Sequence, residues 1–254
     1  DMPVLTYKIL EKTKFNEIST TGAEEGVLSI LIKTDNENYK AQVYSELVAN
    51  RLAMFLGIPV ALGVPAKHSA TKDRLSFASL IAFEDDREIY DFTHMDHRSL
   101  EPPRHVPKGI LQEMDHLREV IKLTKLYPLE TAFLTVFDYW VGNEDRSYNF
   151  KAELSKGNRG IIFALDHGSS LLACKSTIDQ SLEQLEQPSY PRFHPFQKMV
   201  NPLYAGEMIE RIINMPDWAI ESATIFDEAI GNVIPMHQIA LFEVLRVRKM
   251  YLRQ

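Results

Sequence analysis

Apolar residues gather first at strand spacing and later at helical spacing along this chain. Residues 4–18 alternate loosely and predict a first short strand. A turn of small residues at 19–26 then opens into Val27-Leu28-Ser29-Ile30-Leu31-Ile32-Lys33, a run rich in β-preferring side chains. The period changes at residues 41–56, where Val43, Leu47, Ala49, Leu52, Ala53, Phe55 and Leu56 recur with polar residues between them. Gly57 before Pro59 stops that predicted helix. Residues 77–83 predict another short apolar strand, and residues 110–126 and 128–140 predict two helices. A turn at 151–160 separates two short strands, the second buried and ending at Asp166. Residues 204–254 read as largely helical, broken at Met215-Pro216, with Trp218 expected in the core and a basic end that complements the dipole of the last helix.

The remaining stretches are polar. Residues 91–107 are rich in His, Pro and charge and read as an exposed loop. His94, His97 and His105 are irregularly spaced there, without the paired pattern of a metal site. A Pro-rich stretch at 187–196 follows the polar region after Cys174, and Ser169, Ser170, Ser176, Thr177 and Ser181 carry no specific phosphorylation signal.

Composition narrows the class. With 254 residues, 45% hydrophobic and 25% charged, the chain can bury a sizeable core in one large or two-lobed domain. A net charge of −7 argues against broad affinity for nucleic acid or anionic membrane. The single Cys174 leaves no intrachain disulfide and suits a reducing compartment. No apolar run approaches the roughly twenty residues that cross a bilayer, and the first residues lack the basic segment and apolar core of a secretory signal. The expectation is a cytoplasmic protein without a membrane partner.

Chemistry concentrates in two places. Phe137-Asp138-Tyr139-Trp140-Val141-Gly142-Asn143-Glu144-Asp145-Arg146-Ser147-Tyr148-Asn149 leads from an apolar helix into a loop of carboxylates and amides, and Ile161-Ile162-Phe163-Ala164-Leu165-Asp166-His167-Gly168 ends a strand in Asp-His-Gly. Phosphoryl transfer needs a carboxylate to orient the acceptor hydroxyl and oxygen ligands for magnesium. Magnesium takes one or two carboxylates with substrate oxygens and water, so Asp166 with Asn149 is a suitable pair, and Asp145 is left for the acceptor. Singly, an Asp-Arg pair reads as a surface salt bridge and a strand ending in Asp-His-Gly as a turn.

Gly142-Asn143-Glu144-Asp145-Arg146 and Leu165-Asp166-His167-Gly168 resemble the catalytic and metal-binding loops of the HipA-like kinases. Lys33, then Glu46 within Glu-Leu-Val-Ala-Asn-Arg-Leu-Ala, then Leu56-Gly57-Ile58-Pro59-Val60 resemble that family's N-lobe signature. The resemblance covers roughly residues 31–220. It implies an α+β, two-lobed protein-kinase-like fold, with a small β-rich N-lobe at 1–84 and a larger, mostly helical C-lobe at 85–254. It also implies ATP and Mg2+ as cofactors and a protein Ser/Thr acceptor. Asp145, Lys33 and Glu46 would be catalytic; Lys33, Gly22, Asn143 and Arg146 would bind the nucleotide; Asn149 and Asp166 would bind the metal. Some members work with a neutralising protein, so a regulatory protein partner is a further expectation.

Alternatives stay open at this stage. Lys40, in the polar segment before the helix, competes with Lys33, and Glu46 has Arg51 and Lys40 as local partners. Gly22 and Gly26 also suit a plain β-turn, and Glu24-Glu25 would repel phosphate if turned inward. Asn149 stands one residue closer to Asp145 than in the family's pattern, which admits a nucleotide-binding pseudokinase as well as a kinase. A lipid or small-molecule hydroxyl is the other acceptor class.

Overall fold

The computed structural model describes residues 4–15, 19–70, 74–85, 87–91, 108–154, 160–191 and 194–254. The expected loop around His94, His97 and His105 and the tip of the 151–160 turn lie outside them.

β1 (Ile9–Phe15) and β2 (Glu24–Leu28) form an antiparallel ribbon. β3 (Ile30–Lys33) pairs with the middle strand β5 (Leu75–Leu80), which also carries β4 (Gly63–Lys67) on its other edge. The predicted continuous strand over 27–33 is therefore two strands. It breaks at Ser29, whose N–H donates to the Lys8 carbonyl and whose carbonyl accepts from Ile81, so the chain passes there from one sheet to the other. The predicted strand at 77–83 likewise sits earlier, because pairing with β3 and β4 ends at Leu80.

α1 (Gln42–Leu56) is apolar on nearly every side and is accordingly packed on nearly every side. Only Arg51, Met54 and Phe55, at helical spacing, are exposed along its second half. Asp35 accepts the otherwise orphaned N–H of Val43 at 3.0 Å, which ties the end of the β3–α1 connection to the helix start. Gly57 closes the helix in the left-handed region at φ 75°.

α2 (Lys108–Leu126) and α3 (Pro128–Val141) follow, then β7 (Phe150–Glu153) and β8 (Ile162–Ala164), which pair antiparallel with each other while β7 also pairs with β6 (Ile89–Asp91). Residues 59–61 run beside β8: Ala164 donates to the Pro59 carbonyl at 2.8 Å and accepts from Ala61 at 3.0 Å. This bridge fixes the strand that delivers Asp166 against the segment leaving α1.

The helices α4 (Ile178–Glu186), α5 (Pro202–Ile213), α6 (Asp217–Thr224) and α7 (Pro235–Arg248) complete the described fold. α4 occupies a stretch that reads as merely polar. One continuous apolar cluster joins Val48 and Leu52 of α1 with Phe137 and Trp140 of α3, Ala164 of β8 and Leu245 of α7.

Two expectations about the helical end are corrected. Trp218 is 65% exposed rather than in the core; at the start of α6 it meets the exposed Phe55 edge-on, with ring centroids 5.9 Å apart. The basic end of α7 does more than complement its own helix. Arg248 turns inward, is buried, and donates to the carbonyls of Tyr139 and Trp140 at the end of α3 and of Leu185, Gln187 and Ser189 at and after the end of α4. A cation held by two helix C-termini satisfies their orphan carbonyls and suits their negative dipole ends.

Candidate active site

Three elements converge on one charged cluster. β3 ends at Lys33, whose Nζ lies 2.5 Å from Glu46 Oε1 on α1 and 2.6 Å from Asp166 Oδ1 at the end of β8. Lys40, the competing lysine, has no ion pair among the described residues. Glu46 is 1% exposed, and burial pushes its carboxyl up despite the opposing pull of Lys33. Its second oxygen accepts the backbone N–H of His167 at 3.1 Å. Lys33 is desolvated, which favours its neutral form, but the two carboxylates outweigh this and raise its pKa, so it remains an ammonium ion.

Asp166 has φ 51°, a left-handed backbone that Asp enters more readily than most residues. That turn ends β8 abruptly. It leaves the Asp166 side chain 45% exposed between Lys33 and open solvent, with Oδ1 also accepting Gly168 N–H at 3.2 Å. Burial alone would raise the Asp166 pKa, but Lys33 more than offsets it and holds the carboxyl below its ordinary value. Outlying backbone of this kind clusters at functional sites.

The loop carrying Asp145 begins where α3 ends. Gly142, at φ 68°, closes α3 in the left-handed region; a side chain there would also press on Leu185, with a Cβ only 2.8 Å from Leu185 Cδ2. Asp145 is exposed, and its pKa is raised by partial desolvation and then by the charge of Asp166 nearby. Asn149 Nδ2 donates to the Asp145 carbonyl at 2.6 Å, which leaves the Asn149 amide oxygen available as a ligand although the residue stands only four positions beyond Asp145.

Asn143 and Arg146, expected at the nucleotide, are instead inside the protein, 0% and 1% exposed. Both hold the carboxylate of Asp138, a residue of α3 that sequence reasoning did not single out. Asn143 Nδ2 lies 3.2 Å from Asp138 Oδ1, while its own Oδ1 accepts the Asp145 N–H at 2.9 Å. Arg146 is bidentate on Asp138, with Nε 2.9 Å and Nη2 3.0 Å from the two oxygens. Its Nη1 donates to the carbonyls of Asn149 at 2.8 Å and Leu165 at 2.6 Å, and Nη2 lies 2.9 Å from His167 Nδ1. All five donors of Arg146 are directed at protein groups, and both side chains are buried.

A guanidinium can only donate, so His167 accepts at Nδ1 and carries its proton on Nε2, a buried atom without a partner among the described residues. Burial, then the neighbouring guanidinium, pushes that imidazole down to about 3, and it is neutral. His194 supplies the remaining contact to Asp138, its Nε2 2.8 Å from Oδ2. Asp138 is wholly buried, and Arg146 with His194 more than offset the desolvation that would raise its pKa, holding it well below the usual carboxylate range.

Gly22 lies in the turn between β1 and β2 at φ 74°, with nothing within 4 Å of where a Cβ would stand, and the described residues give it no contact with the charged cluster. The charged cluster thus brings together the Lys33 ammonium ion, the carboxylates of Asp166 and Asp145 and the amide of Asn149. Among the described residues no group of three or more His, Cys, Asp or Glu side chains forms a metal site, and no helix is long and apolar enough to cross a membrane. A donor set of Asp166 and Asn149 oxygens suits magnesium rather than zinc.

This order of elements, with its lysine–glutamate pair beside an Asp-ended strand, is shared with two solved structures, and their likeness makes it a kinase-like α+β fold. A Helicobacter pylori proinflammatory kinase, CtkA, superposes with a TM-score of 0.55 at 16% identity over 97% of this chain and 98% of that one. HipA of a Shewanella oneidensis MR-1 toxin–antitoxin system, solved with HipB and operator DNA, superposes with a TM-score of 0.52 at 12% identity, covering 95% of this chain and 65% of HipA. The fold is the one that CtkA and HipA share with this chain. No protein-family pattern matches the chain, and no curated protein matches its sequence.

Proposed function

We propose that the protein is an ATP- and magnesium-dependent kinase that transfers the γ-phosphate to a Ser or Thr of another protein. The observation that carries this reading is the Lys33 ammonium held 2.5 Å from buried Glu46 and 2.6 Å from Asp166. Such a pair presents a fixed cation to the nucleotide phosphates. The nucleotide would lie between a lobe at 1–84 and a lobe at 85–254.

In this reading Lys33 binds the phosphates and Glu46 fixes its direction through two contacts, one to the ammonium and one to the His167 backbone. Asp166 and Asn149 would hold magnesium, which when bound neutralises charge on the phosphates. Asp145 orients the acceptor hydroxyl and takes its proton. Its raised pKa brings it closer to the operating pH, as suits a general base. Asn143 and Arg146 act on this chemistry by shaping the loop.

HipA was solved with HipB, which supports proposing a regulatory protein partner here too. The test is thermal stability with and without an ATP analogue and magnesium, repeated on Asp166→Ala. Ligand at about a hundred times its Kd stabilises by roughly 2.7 kcal/mol. A magnesium-dependent shift lost in the variant supports the reading; no shift in either protein at saturating ligand refutes it.

A further inference from the structure

Four hydrogen bonds end on the two oxygens of Asp138: two from Arg146, one from Asn143 and one from His194. Two of these partners pass the constraint onward. Asn143 fixes the Asp145 N–H, and Arg146 fixes the Asn149 carbonyl, the Leu165 carbonyl just before Asp166, and the His167 ring just after it. One carboxylate, fixed on the last turns of α3, is therefore the common anchor of the loop with Asp145 and Asn149 and of the strand end with Asp166. The fourth partner comes from elsewhere. His194 lies after α4, and the Phe196 N–H donates to its Nδ1 at 3.3 Å, which leaves Nε2–H to donate to Asp138.

We propose that Asp138 and His194 are positioning residues for phosphoryl transfer: Asp138 sets the register of both reactive loops, and His194 locks Asp138 from the segment after α4. The inference rests on the kinase reading above. A purely structural pair would be needed only for folding. This pair instead acts at backbone groups of Asp145, Asn149 and Leu165, where a small displacement moves a reacting group out of line and costs rate without costing nucleotide affinity.

The geometry also supplies a conservative variant. Glutamine's terminal amide reaches about as far as a histidine Nε2 and keeps an N–H for Asp138, whereas alanine keeps none. The experiment compares wild type, His194→Ala and His194→Gln by hydrogen exchange over residues 143–149, by nucleotide-analogue Kd and by phosphate-transfer kcat.

The expected result is exchange in the loop about ten-fold faster in His194→Ala, with transfer lowered about a hundred-fold and nucleotide Kd little changed. His194→Gln recovers most of both. Unchanged exchange in His194→Ala overturns the proposal, as does faster exchange with transfer intact, or a loss that His194→Gln does not relieve. If wild type transfers no phosphate, the kinase reading fails on its own; exchange then still decides whether His194 locks the loop through Asp138.

Discussion

Glu46 accepts the backbone N–H of His167 at 3.1 Å across 121 positions of sequence, with its other oxygen on Lys33. The residue that aims the lysine is therefore also the residue that holds the turn after Asp166. Glu46→Gln keeps a similar shape and a hydrogen-bonding capacity but removes the charge. Nucleotide affinity should fall by about ten- to a hundred-fold, since the loss of a charged hydrogen bond costs about 1.5–3 kcal/mol. Calorimetric titration with an ATP analogue checks this, and unchanged affinity would mean that Lys33 does not need the Glu46 charge beside that of Asp166.

Asp138 gives the fold an acid-sensitive joint. Its folded pKa is depressed, so its stabilising contribution is present above the ordinary unfolded value of 3.8 and is lost as pH falls below it. Asp138→Asn should cost about 3–5 kcal/mol at neutral pH, because Arg146 is left buried without its counter-ion. The variant should then lose less further stability than wild type between neutral and acid pH. Urea unfolding at a series of pH values tests both statements.

Asp145 behaves in the opposite sense. Its folded pKa is raised by desolvation and by Asp166, so its ionised form opposes folding at neutral pH. Carboxyl NMR titration of the nucleotide-free protein should give a midpoint above 3.8, the ordinary value. Asp145→Asn should raise the Tm while it removes the proposed base. A depressed midpoint, or a lowered Tm, would contradict this effect of desolvation and Asp166 on Asp145.

Arg248 should be among the least replaceable residues of the C-terminal helix. Its five hydrogen bonds all go to backbone carbonyls around the ends of α3 and α4. Arg248→Met leaves those acceptors buried and unpaired, at about 1–3 kcal/mol for each one that water cannot reach. Chemical denaturation should show a loss well beyond that of Arg246→Met, whose partners Asp217 and Glu243 are exposed.

What could be read from the chain was what short patterns encode. Lys33, Glu46, Asp145 and Asp166 stand in recognisable local settings, and the helices at 41–56 and 128–140 announce themselves by period and by Gly57 and Pro128. Asp138 was not legible, because a carboxylate within Val-Phe-Asp-Tyr-Trp reads as a polar position on a helix; only the fold brings His194, 56 residues away, and Arg146 onto it. Asn143 and Arg146 were placed at the nucleotide because the motif names residues but not the direction of their side chains. The break at Ser29 also escaped notice, since a strand that changes sheets keeps the composition of a continuous one. Trp218 illustrates the same limit: size alone suggested the core, while its place at the start of α6 leaves it outside.

Transfer of labelled γ-phosphate from ATP to protein Ser or Thr, compared between wild type and Asp145→Asn at matched nucleotide occupancy, tests the central claim most directly. The account predicts magnesium-dependent labelling by wild type and a loss of about 10²–10⁴-fold in the variant with nucleotide binding retained. Nucleotide binding without labelling by wild type, or equal labelling by both proteins, would contradict it.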